Sequence, residues 1–182
     1  LKNYLNSIRS SALELGSVST LAVCGMLLAL KIVLGFFTVN VSEILKVGFS
    51  FLPIAVSGML FGPVAGGIVG AAGDVFSYLI QPAGPYFPGF TLNAFLSGFL
   101  YGLFLYQRPV RFGRVLASKV SVTVLVSMAL NPLWLSILYG KAFWAVFTAR
   151  IAANLAELPV DAVLLFVVLQ LVRRIRVREW ER

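Results

Sequence analysis

From Val18 to Val172 the chain is almost unbroken apolar sequence, cut only by short segments rich in glycine, proline or arginine. A helix needs ~20 mostly apolar residues to cross a bilayer, fewer where its ends lie in protein. Runs of that kind fall at about Val18–Phe37, Gly48–Phe61, Val64–Ile80, Phe90–Tyr106, Val120–Tyr139 and Ala142–Val172. Helices that are apolar all round must be buried in a large core or in lipid, and 182 residues cannot bury six of them in water. Charged residues, 12% against 59% apolar, are too few to cover a soluble surface. The sequence therefore predicts an all-α integral membrane protein: one transmembrane domain over residues 1–182, a bundle of six helices.

The breaks between runs have local causes. Gly62-Pro63 forces a tight turn between the second and third spans, because proline suits the first helical turn and not the interior. Residues 81–89 carry three prolines and are expected to form an irregular loop. Gln107–Lys119 reads as a basic loop, and residues 173–182 as a basic tail. Residues 1–16 lack the order of a cleavable signal and read as an interfacial amphipathic helix.

With six spans both termini share a side. That side collects Lys2, Arg9, Arg108, Arg111, Arg114, Lys119, Arg173, Arg174, Arg176, Arg178 and Arg182, whereas the other has Lys46 and Lys141. The excess of positive charge predicts cytoplasmic termini. It also accounts for the net charge of +8 through anionic lipid, with no need for nucleic acid.

Ionisable residues within spans are costly, and a functional site is their default reading. In the sixth span Arg150, Asn154, Glu157 and Asp161 stand at i, i+4, i+7 and i+11, within about 60° on one helix face. Asp74, Asn93, Asn131 and Lys31 are expected in the same outer half, beneath a loop carrying Tyr86, Phe87 and Phe90. The structural alternatives are an internal Arg150–Glu157 or Arg150–Asp74 tie, and a Lys31 that snorkels to the interface. Small residues at helical spacing mark three spans: Ala22, Gly25 and Ala29; Gly62, Gly66 and Gly70; Ala94, Gly98 and Gly102. Such faces let helices approach closely, within the bundle for the latter two sets and equally well toward a partner for the first.

Catalysis finds little support. With no histidine and a single cysteine, Cys24, neither a Cys/His metal site nor a Ser-His or Cys-His nucleophile can be assembled. Cys24 reads as a small packing residue. No phosphate-binding G-x-x-x-x-G-K-[ST] occurs, so transport driven by ATP would need separate ATPase subunits. The two halves show no convincing internal match of the kind typical of secondary transporters. The expectation is a non-enzymatic binding protein for a small polar solute, with no cofactor.

Six short spans, a Gly-Pro turn and a long outer loop resemble the substrate-binding (S) components of energy-coupling factor vitamin transporters. Phe51-Leu52-Pro53-Ile54, Gly58 to Pro63, and Gly70 to Asp74 are similar to that family's second and third helices. Tyr86-Phe87-Pro88-Gly89-Phe90-Thr91, with Ala94 and Gly98, resembles the folate-specific branch, as do Arg150, Asn154 and Leu158-Pro159 in the last helix. The resemblance implies a subunit of a bacterial cell membrane that captures the vitamin outside and docks on a transmembrane coupling subunit carrying two ATPases. Docking would use small residues on the first span, here Ala22, Gly25 and Ala29, with Met26 interrupting the strict repeat. For folate, Tyr86, Phe87 and Phe90 would stack on the rings. Asp74 or Glu157 would accept from the aminopyrimidine edge, and Arg150, Lys46 or Lys31 would meet the glutamate tail. Asn93 and Asn154 complete the expected site. Thiamine, being cationic, explains the cations less well, and uncharged riboflavin explains neither charge; a stand-alone secondary transporter is the reading from another class.

Overall fold

The computed structural model describes residues 2–37, 39–40, 46–82, 84–140 and 143–180. In chain order these form α1 (Lys2–Glu14), α2 (Val18–Phe36), β1 (Val39–Asn40), β2 (Lys46–Val47), α3 (Phe51–Ile80), α4 (Pro88–Leu105), α5 (Phe112–Val122), a π-helical segment (Thr123–Leu130), α6 (Asn131–Tyr139) and α7 (Phe143–Trp180). Among the described residues the architecture is helical apart from one antiparallel two-residue ladder, in which Val39 faces Val47 and Asn40 faces Lys46. Five helical stretches among the described residues are long and apolar enough to cross a membrane: α2, α3, α4, the rod Phe112–Leu138, and Ala153–Ile175 within α7.

α3 supplies two of the six expected spans. At Gly62 the backbone takes φ 88° and ψ −176°, a left-handed conformation open to glycine, and Pro63 starts a second arm. The arms fold back on each other, since a side chain at Gly66 would strike the backbone of Gly58. α4 lies against both arms. A Cβ at Gly98 would overlap the Gly66 carbonyl, and one at Gly102 would overlap Pro63. These glycines let three helical segments touch backbone to backbone, the within-bundle role expected of the second and third small-residue sets.

α1 packs against the α3 hairpin. Ser11, wholly buried, donates to the Phe61 carbonyl at 2.6 Å and accepts from the Val64 and Ala65 amides at 3.1 and 3.4 Å. It thus satisfies the last carbonyl of one arm and first-turn amides of the next, groups that a helix cannot pair internally. Nearby the Tyr106 hydroxyl donates to Glu14 Oε1 at 2.6 Å.

One expectation about a loop requires correction. The segment expected to be a basic loop through Lys119 is helical from Phe112, because Val115, Ser118, Lys119 and Val122 recur at helical spacing and are buried. The basic tail continues α7 as helix to Trp180, since its arginines and glutamate are good helix formers. Leu165, Leu169, Val115, Val122, Tyr101 and Leu105 form the core where α7, α5 and α4 meet.

Candidate ligand site

A cavity of about 280 Å³ lies between the start of α3, the α5–π–α6 rod and α7. From α7 it is lined by Arg150, Asn154, Glu157 and Asp161, so the i, i+4, i+7, i+11 face does look inward. Opposite stand Lys119, Thr123, Ser127 and Asn131, each four residues beyond the last. In an α-helix a period of four drifts by about 40° per step. The wider π turn, near 4.4 residues, drifts the other way, so the two nearly cancel and all four residues keep one face. Asn131 caps this segment, its amide reaching back five residues to Val126.

The charges of the cavity fall into two kinds. Lys119 Nζ lies 2.7 Å from Asp161 Oδ2 and 3.9 Å from the centre of the Phe51 ring, so both charges are committed. Arg150 and Glu157 are not. Arg150 Nε and Glu157 Oε1 are buried, and neither has a hydrogen-bond partner among the described residues. The expected Arg150–Glu157 and Arg150–Asp74 ties are not formed; the ion pair found is Lys119–Asp161 instead. Seven residues apart, Arg150 and Glu157 stand about 10 Å from each other along α7. The Asn154 side-chain amide donates to the Arg150 carbonyl at 2.8 Å.

The remaining expected residues form a separate, interlocked group. Thr91 donates its hydroxyl to Asp74 Oδ2 at 2.8 Å, which leaves Tyr86 to donate to Thr91, also at 2.8 Å. Trp134 Nε1 donates to Asn93 Oδ1 at 3.0 Å, and the Phe87 ring packs on both Trp134 and Phe90. Lys31, 7% exposed, lies over Gly73, where a side chain would overlap it, and within electrostatic reach of Asp74. None of Lys31, Asp74, Tyr86, Phe87, Phe90 or Asn93 lines the cavity. The two groups meet on α6, where Trp134 sits one turn beyond Asn131. The side chain of Lys46 lies outside the described residues.

Sequence reasoning missed Lys119, assigned to the basic loop, along with Thr123 and Ser127. The available signal was the period of four polar residues ending at Asn131. On α2, Ala22, Gly25, Met26 and Ala29 are all exposed, and a side chain added at Gly25 would meet nothing.

A family model described as "ECF transporter, substrate-specific component" matches residues 19–169. The folate transporter FolT of Clostridium novyi is 39% identical over 160 residues, 88% of this chain and 93% of that protein. FolT of Leuconostoc mesenteroides is 30% identical over 142 residues, 75% of this chain and 76% of its own. Among solved structures, FolT bound with folic acid superposes with a TM-score of 0.77 at 37% identity, covering 82% of this chain and 92% of that one.

Proposed function

The chain belongs to the family of ECF transporter substrate-specific components, and we propose that it is the folate-capturing member of such a transporter. It takes folate from outside a bacterial cell and passes it inward by docking on a transmembrane coupling subunit that carries two ATPases. The relatives support this reading, since two transporters named for folate match most of its sequence and a folic-acid-bound structure shares its fold.

The observation that carries the proposal is the pair of uncommitted charges in the cavity. Folate offers donors on its aminopyrimidine edge and carboxylates on its glutamate tail. Glu157 accepts from the ring edge, and Arg150 receives the tail by charge-assisted hydrogen bonds. Each buried group left unpaired in the empty protein gains its partner on binding, which concentrates affinity at these two residues. Asp74, engaged by Thr91, serves less well as the ring acceptor than Glu157. Phe87, Phe90, Tyr86, Asn93, Asp74 and Lys31 then brace the wall beside the ligand, and Asn131 and Asn154 line its path. The exposed Ala22–Gly25–Ala29 face of α2 is the docking surface for the coupling subunit.

Purification from folate-fed cells, followed by mass spectrometry of the released small molecules, tests the proposal. Folate should co-purify in near-stoichiometric amount. Recovery of a different vitamin in its place would refute the assignment.

A further inference from the structure

The cavity holds two cations and two carboxylates, yet only one of each is open to a ligand. That selection is made by Lys119. Its ammonium sits between Asp161 Oδ2 and the face of Phe51, and its side chain and that of Asp161 are 11% and 18% exposed. Asp161 Oδ2 already has a charged donor in Lys119 Nζ at 2.7 Å, whereas Glu157 Oε1 has no partner among the described residues. Asp161 therefore has no need of a ligand.

Glu157 stands one turn before Asp161 on the same face, within electrostatic reach of Asp161, Lys119 and Arg150. Without Lys119, two carboxylates four residues apart would repel each other in a poorly solvated site. Without Asp161, Lys119 would be free to turn to Glu157, whose Oε1 is unpaired, and would occupy the acceptor that the ligand needs. The pair thus holds Glu157 as the single uncommitted carboxylate.

We infer that Lys119 and Asp161 are positioning residues of the ligand site, whose mutual neutralisation reserves Glu157 for the N–H donors of the ligand's ring. The inference rests on the folate reading and adds to it the source of ring discrimination. Both act on the ring through Glu157. Their effect should therefore appear in the choice between rings more than in overall affinity.

The test uses the purified full chain, titrated with folate and with its 2-desamino analogue, which lacks one ring donor. The wild type should prefer folate by about tenfold or more, the lower end of what a hydrogen bond to a charged group contributes. Lys119→Met and Asp161→Asn should each shrink that ratio toward unity. The double variant Lys119→Met/Asp161→Asn should restore it, as should the charge-conserving Lys119→Arg. If Lys119→Met fails to fold, Asp161→Asn carries the test alone, because the released ammonium then competes for Glu157. A ratio unchanged in the single variants, with both ligands weakened alike or the ligand-free protein merely less heat-stable, would make the pair a structural strut and overturn the inference. A wild type that binds folate without preferring it to the analogue would overturn it as well. A wild type that binds neither ligand would overturn the folate reading beneath it.

Discussion

Arg150 and Glu157 are the residues that the sequence marks most clearly. Their spacing on one helix and the cost of charge within a span are enough to identify them. That Arg150 Nε and Glu157 Oε1 lack hydrogen-bond partners among the described residues is not legible, because it depends on which residues of other helices, such as Lys119 beside Asp161, come to face them. The partners of Asp74 and Asn93 are likewise not legible: Thr91 and Trp134 lie 17 and 41 residues away. Arg150→Ala should weaken folate binding by about 2–5 kcal/mol, the usual cost of truncating one side of a buried charged pair. A pterin lacking the glutamate tail should lose far less. Parallel titrations in matched detergent and salt will show the difference, and equal losses would assign Arg150 to the rings or to the scaffold.

Among the elements, the α3 hairpin is written plainly in Gly62-Pro63, and its glycine contacts with α4 in spacings of four. Ser11 is not legible: it acts as a cap supplied from another helix, and no local motif announces that role. Ser11→Ala leaves buried amides and a carbonyl unpaired and should destabilise the protein by about 1–3 kcal/mol. A lowered thermal midpoint in detergent would register this, whereas Ala12, exposed on the same helix, should tolerate serine without change. The exposed face of α2 calls for a different assay. Gly25→Leu or Ala29→Leu, which meet no neighbour in the isolated chain at Gly25 and lie exposed at Ala29, should leave folate binding intact and abolish ATP-driven uptake. Normal uptake by both variants would place docking elsewhere.

For the molecule as a whole, the membrane class follows from composition and run length, because lipid tolerates little besides helices and closed barrels. Orientation rests on charge asymmetry alone. In a background with Cys24 replaced, a cysteine at Arg108 should resist an impermeant thiol reagent applied outside, and one at Gly84 should react. The reverse pattern would turn the molecule over and put the cavity on the wrong side for uptake. The central claim, that the chain binds folate through its own cavity without an energy source, meets its most direct test in equilibrium titration of the purified, ligand-stripped chain with folate. Saturable one-to-one binding in the absence of ATP and of any partner subunit, lost on Arg150→Ala, is the expected result. No saturable binding of folate, or binding indifferent to both Arg150→Ala and Glu157→Gln, would contradict the claim.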